Sequence, residues 1–273
     1  MTERLALIAG TGALVPEVIE AARKRGFELK LLTLGRRKGL AGYEPIRFSL
    51  AQPQTAVAAI RDFGATRFAM AGGVSLSDVA REGLASFFSG APTRQSIGDS
   101  RISDLVRRLE DMTGAQPMGV HEIAPELLAG EGALGGPVVD ALTLETARYA
   151  LALARQAGAL DLGQAVVVAG KRAIAAEDIG GTDALLWRVR WLRFKGLVAD
   201  GKTSPLVLGK CPKPDQPLFV DMPAIGPRTI ENAKKSGVCA VVVAAGGTLM
   251  IQRTAIRAAA DRLGVSVIGL RHG

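Results

Sequence analysis

The sequence predicts an α/β protein, with a Rossmann-like N-terminal domain and a mixed α/β C-terminal domain. Three observations lead there. In the first half, short apolar runs alternate with helix-period segments in the order strand–helix–strand–helix–strand, the signature of a parallel sheet. The chain carries 33 glycines, as many tight strand–helix turns require. A stretch over residues 128–137 holds four glycines and no periodicity, and it divides the chain.

Taken in order, residues 5–9 read as a buried strand, Gly10-Thr11-Gly12 as its turn, and 15–24 as a helix ending at Gly26. Residues 28–34 are a second strand. A helix over 54–63 closes at Gly64, and 67–71 is a third strand. Over 101–112, Ile102, Leu105, Val106 and Leu109 recur at i, i+3, i+4 and i+7, one helix face. Asp99 or Ser100 can cap it. A short strand is expected at 117–120. The first domain is placed at 1–130, a linker at 131–138 and the second domain at 139–273. In that second domain an Ala/Leu-rich helix spans 143–156. Strands 164–169 and 172–176 make a hairpin through Gly170-Lys171. A helix over 184–194 follows, then strands at 206–208 and 218–220 among proline-rich turns. The helix over 227–235 has proline in its first turn, where proline is tolerated. A wholly apolar strand at 238–244, a helix at 254–263 and a last strand at 265–269 complete the domain.

Composition sets outer limits. The chain has 273 residues, 48% of them hydrophobic, which excludes a mainly disordered state. Aromatics make up 4%, against a protein that binds single strands or carbohydrate mainly by stacking. Two cysteines, Cys211 and Cys239, and two histidines, His121 and His272, stand apart from any metal-ligand spacing. That usage suits a reducing cytosol rather than a disulfide scaffold. Residues 5–15 are interrupted by Gly10 and Gly12 and lack a small-x-small cleavage pattern, so no signal peptide is expected. The longest apolar stretch, 238–251, contains Gly246-Gly247 and is too short to span a bilayer. A soluble cytoplasmic protein is therefore expected. The net charge of +8 allows attraction to phosphates, nucleic acid or an anionic membrane face.

Several motifs bear chemistry. Gly10-Thr11-Gly12 lies between a strand and a helix, where backbone N–H groups can hold an anion. The third glycine of a G-x-G-x-x-G pattern is replaced by Val15. Strand two ends at Arg36 and Arg37, with no acid for a ribose diol but two cations for a 2′-phosphate. Residues 71–75 (AGGVS) follow the third strand, so Gly73 would face the same crevice as Gly10 and Gly12. Both segments are also consistent with plain tight turns. A basic run joins Arg188, Arg190, Arg193, Lys195, Lys202, Lys210 and Lys213, interleaved with Trp187, Trp191 and Phe194. It suits phosphate recognition, docking on anionic lipid, or a solvated helix face. Two strand–helix loops carry acids: 177–183 (EDIGGTD), including Asp183, and 220–227 (VDMPAIGP), including Asp221. Such carboxylates can converge to hold a hard cation and orient a water. Asp183 can also be an ordinary helix cap. Asp221 ends an apolar strand just before a proline-bounded turn, where a carboxylate has little structural reason.

With these segments in view, the sequence resembles the LpxI-type UDP-2,3-diacylglucosamine pyrophosphatases of lipid A biosynthesis. The matching stretches are 157–168 (AGALDLGQAVVV), 177–185 (EDIGGTDAL), 218–229 (LFVDMPAIGPRT) and 245–249 (AGGTL), with looser agreement at IAGTGALVP, MAGGV and HEIAPELLA. The resemblance implies a two-domain cytoplasmic enzyme working at the inner membrane surface, with the lipid between its domains, and a homodimer. It would hydrolyse the diphosphate of UDP-2,3-diacylglucosamine to UMP and 2,3-diacylglucosamine 1-phosphate (lipid X), using Mg²⁺ or Mn²⁺. The catalytic aspartate of the family's D-x-P-x-x-G motif maps onto Asp221, and its G-T-D onto Gly181, Thr182 and Asp183. Two acids of the family pattern are replaced, by Gly180 and Ala244, leaving Glu177 and Asp178 as substitutes. On this reading Asp221 holds the cation or activates the water and Asp183 assists. Lys210, Lys213 or Arg228 cover phosphate oxygens, Thr182 contacts the substrate, and Gly10, Gly12 and Gly73 line the N-terminal side. Two other readings are an NADP-linked oxidoreductase built on Gly10–Gly12 with Arg36 and Arg37, and a non-enzymatic nucleic-acid binder. The first lacks a hydride-transfer pair such as Tyr-x-x-x-Lys, the second a recognisable binding motif.

Overall fold

The computed structural model describes residues 2–34, 40–49, 53–73, 100–198, 204–214, 217–219 and 222–271. The chain divides into two compact units. One comprises residues 1–126 and 216–221, the other residues 127–215 and 222–273.

Among the described residues, the first unit is built on a five-stranded parallel sheet in the order β3-β2-β1-β4-β5. The strands are β1 (Arg4–Ala9), β2 (Glu28–Leu34), β3 (Ile46–Phe48), β4 (Arg67–Ala71) and β5 (Gln116–Pro117). β1 is central because it is apolar on both faces; Leu5, Ala6, Leu7 and Ala9 are all buried. α1 (Leu14–Lys24) lays Val15, Val18, Ile19 and Ala22 inward. α2 (Gln54–Asp62) and α3 (Ser100–Thr113) supply Val57, Ile60, Val106 and Leu109 to a cluster with Leu32 and Phe68. This is the Rossmann-like arrangement the sequence predicts. The strand expected at 117–120 is shorter, and its end is instead the helix α4 (Val120–Ile123). The reason is local: Glu122 folds back to accept from the Gly119 amide at 2.6 Å, and the Glu122 amide donates to the Gly119 carbonyl.

The second unit carries a six-stranded mixed sheet in the order β6-β13-β11-β9-β7-β8. Its strands are β6 (Gly132–Gly135), β7 (Ala165–Ala169), β8 (Arg172–Ala176), β9 (Leu206–Lys210), β11 (Ala240–Ala244) and β13 (Ser266–Leu270). β9, β11 and β13 run parallel, while β6 and the β7–β8 hairpin run antiparallel to their neighbours. β10 (Ala224–Ile225) and β12 (Leu249–Met250) form a small parallel pair. α5 (Ala141–Ala159) covers one face of the sheet with Ala147, Ala150, Leu151 and Ala154. α6 (Gly181–Phe194), α7 (Pro227–Lys235) and α8 (Arg253–Leu263) cover the other.

Three expectations need correction. Part of the stretch read as a linker, 131–138, is strand β6, paired with β13. Its glycines permit close approach rather than flexibility: a Cβ on Gly136 would stand 2.1 Å from the Val265 carbonyl oxygen. Leu218 and Phe219 form a turn, not a strand. Phe219 has left the second unit and packs on the first unit's cluster beside Phe68 and Leu32. β9 runs two residues past its expected end, to Lys210, because its carbonyl and amide groups pair on both sides, with β7 and β11.

Candidate functional site

The second unit gathers polar side chains at the carboxyl end of β9. Lys210 closes that strand and is buried. Its ammonium donates to Thr182 Oγ1 at 2.8 Å. Thr182 in turn donates to Glu177 Oε1 at 2.6 Å, and the other carboxylate oxygen of Glu177 accepts from the Gln164 amide at 2.8 Å. The order Gln164–Glu177–Thr182–Lys210 thus ties the start of β7, the loop after β8, the first turn of α6 and the end of β9 into one chain. A buried ammonium held this way keeps its charge in a fixed place, which is what binding a phosphate oxygen requires. Three residues past the end of β9, Lys213 pairs with Asp161 at 2.5 Å.

Asp183 stands one residue further along α6. It does not cap the helix. Its Oδ1 accepts from Asn232 Nδ2 at 2.8 Å and its Oδ2 from Arg228 at 3.3 Å, both on α7. Thr182, Lys210, Asp183 and Arg228 are therefore linked on one unit, Lys210 through Thr182 and Arg228 through Asp183. Asn232 was not singled out from sequence; it sits mid-helix among charged residues with no motif of its own. Glu177 was read as a substitute metal ligand, whereas its two oxygens here accept from a hydroxyl and an amide. Asp221 lies outside the described residues, as do Lys202, Arg36 and Arg37.

Among the described residues no three His, Cys, Asp or Glu side chains come together as a metal site. The carboxylates nearest Lys210 face N–H and O–H donors, and Asp183 lies against a guanidinium. Of the two carboxylates expected to hold Mg²⁺ or Mn²⁺, Asp183 is engaged by Arg228 and Asn232, and Asp221 lies outside the described residues.

In the first unit the glycine turns close on each other. The Gly10 amide donates to the Ala71 carbonyl at 2.7 Å, and Thr11 and Gly73 exchange backbone bonds at 2.6 and 2.7 Å. A Cβ on Gly10 would meet the Gly72 oxygen at 2.6 Å, and one on Gly72 the Thr11 oxygen at 2.5 Å. The amides of Gly10, Thr11 and Gly73 are thus already donating within the protein. Gly12, with φ of +106°, has open space beside it. Val15, in place of a third glycine, is buried against this turn.

Comparison with known proteins bears on what such a chain does. The LpxI N-terminal domain matches residues 4–127 and the LpxI C-terminal domain matches residues 130–268. The chain belongs to the LpxI family. The UDP-2,3-diacylglucosamine pyrophosphatase LpxI of Caulobacter vibrioides is 34% identical to it over 275 residues, covering 98% of this chain and 97% of that protein. Within this LpxI-family chain, the polar cluster lies in the segment matched by the C-terminal domain. The two positions where the resemblance implied acids are tightly packed: Ala244 is fully buried on β11, and a Cβ on Gly180 would press Ala184 Cβ at 2.7 Å. No described helix is long and apolar enough to cross a membrane.

Proposed function

We propose that this chain hydrolyses the diphosphate of UDP-2,3-diacylglucosamine, giving UMP and 2,3-diacylglucosamine 1-phosphate. The observation that carries the reading is the buried Lys210 ammonium, fixed through Thr182 and Glu177 in the unit that matches the LpxI C-terminal domain. Cleaving a phosphoanhydride demands little covalent chemistry from the protein. It demands that charge on the transferred phosphoryl group be neutralised and that a water be aligned with the leaving phosphate. Lys210 has three N–H donors, one of them given to Thr182, so it can meet phosphate oxygens without moving. Lys213, paired with Asp161, and Arg228, paired with Asp183, are the further cations proposed to meet phosphate oxygens. The water adds to one phosphorus, the bridging P–O bond breaks, and the leaving phosphate departs with the electron pair. Asp221 is the proposed base that takes the water's proton, a role that rests on the family motif. Asp183 assists by holding Arg228. Of the three glycines expected to meet substrate, Gly10 and Gly73 have their amides engaged within the first unit, and Gly12 has open space beside it. A homodimer at the cytoplasmic face of the inner membrane belongs to the same proposal.

The test is incubation with UDP-2,3-diacylglucosamine, with no added metal, with Mg²⁺ and with Mn²⁺, followed by mass detection. UMP and the acylated sugar phosphate are expected. Asp221→Ala should abolish both while circular dichroism stays unchanged. Absence of UMP in all three arms, or near-normal turnover in Asp221→Ala, overturns the reading.

A further inference from the structure

The helix that begins at the polar cluster carries a second feature that catalysis does not use. α6 buries Leu185, Leu186 and Val189 against the sheet. Its opposite face is not polar. Trp187, Trp191 and Phe194, at i, i+4 and i+7, form a single ridge along it, and they are 67%, 45% and 84% exposed. Leu197, just past the helix, is 58% exposed and extends the ridge; Ile179, just before it, is 88% exposed. Large aromatics with this much open surface are uncommon, and three in a row constitute an apolar patch rather than scattered exposure.

The charges around the ridge identify what covers it. Arg188 and Lys195 flank it on one side and Arg190 on the other, all exposed. The Lys195 ammonium lies 5.8 Å from the Trp191 ring centre. The one acid of α6, Asp183, is held by Arg228 and Asn232. An aromatic ridge between basic rims matches the lipid–water boundary. Indole and phenyl rings enter the headgroup region, and the long basic side chains keep their charges at anionic headgroups. A second copy of the chain fits less well, since a two-fold contact through this ridge would set its arginines against their own copies. We propose that the α6 ridge of Trp187, Trp191 and Phe194, with Arg188, Arg190 and Lys195, docks the protein on an anionic bilayer surface. This deepens, and rests on, the reading that the substrate carries acyl chains. The N-terminal turn of the docking helix supplies Thr182, so the ridge would bring the Lys210 cluster to the membrane plane.

The two tryptophans of the ridge are the only two in the chain, so selectively excited tryptophan fluorescence reports on this face alone. Vesicles of phosphatidylcholine containing one third phosphatidylglycerol should shift the emission to the blue, and lipids brominated on their acyl chains should quench it. Pure phosphatidylcholine should do neither. Raising salt from ~0.1 M to ~1 M should release the protein, since screening shortens to about 3 Å. In co-sedimentation, Arg188→Glu with Arg190→Glu should weaken binding by at least about tenfold. Trp187→Ser, Trp191→Ser and Phe194→Ser together should abolish binding; these side chains are exposed, and circular dichroism checks that the fold persists. An unshifted emission with anionic vesicles overturns the proposal. So does equal binding to neutral vesicles, or a blue shift that follows protein concentration without lipid, which would assign the ridge to self-association. Vesicle binding without any turnover would leave this surface standing and remove the proposed reaction instead.

Discussion

The two units each end a central parallel strand in a short loop, and they treat that loop in opposite ways. At the end of β1 the backbone of Gly10–Thr11 hydrogen-bonds to Ala71 and Gly73. The polar groups there satisfy each other, and glycine is needed because two main chains touch. At the end of β9 the side chains of Lys210, Thr182 and Glu177 form the connections. One loop is a weld and the other a set of aimed charges. The difference teaches that a glycine-rich turn after a strand is not by itself a phosphate cradle; what counts is whether its amides are already engaged.

The contrast can be broken at its strongest point by Lys210→Met, which keeps the length and removes the charge. Turnover of the UDP-linked lipid should fall about 10²- to 10³-fold, as when a preorganised donor to a developing anion is lost. Thermal stability should hold, because Thr182 and Glu177 keep their own bond. A variant with unchanged turnover would reduce the cluster to a structural tie. Next in size is Gly10→Ala. The added methyl group would press on the Gly72 and Gly73 carbonyl oxygens, at a cost of roughly 1–3 kcal/mol. Loss is expected in the unfolding midpoint while the activity of the folded fraction survives. The reverse pattern, intact stability with lost substrate affinity, would make the glycine turn a binding site after all. Glu177→Gln comes third. It keeps one acceptor but weakens the hold on Thr182, and kcat should drop roughly tenfold through misplacement of Lys210, with KM little changed. A change confined to KM would mean that Glu177 acts on binding rather than on position.

Much of this arrangement was legible in the residues, and what was not has a physical reason. The parallel sheet followed from apolar runs punctuated by glycine, since each run is buried on both faces and each turn needs a special backbone. The short strands β3, β6, β10 and β12 escaped notice, because two to four residues hold no measurable period and exist through a neighbour's hydrogen bonds. Lys210 was one of seven basic residues in a run, and only burial separates it from the exposed Arg188 and Arg190. Asn232 could not be found at all, because its role arises from α7 packing beside α6.

The smallest effect concerns how the helices beside the two loops begin. α1 follows the glycine turn with no side-chain cap on Ala13, whereas α5 starts at Asp140, whose Oδ1 accepts from the Thr143 amide at 2.7 Å. That amide, and then the Thr143 side chain, hold the Asp140 carboxyl below the usual carboxylate range. The folded value lies below the unfolded one, so the cap's contribution is complete above the unfolded value of about 3.9 and fades as pH falls through the lower folded one. Asp140→Ala should therefore lower the unfolding midpoint of the second unit modestly at neutral pH, and the gap to the native chain should narrow in acid. Asp140→Asn retains an acceptor oxygen and should lose less at neutral pH, and its smaller gap should narrow by the same amount in acid, since neither variant titrates at this position. A gap that stays constant from neutral pH into acid would mean that the charge at Asp140 contributes nothing. Asp140 would then cap α5 as a neutral acceptor does, and the contrast with the uncapped α1 would rest on the hydrogen bond alone.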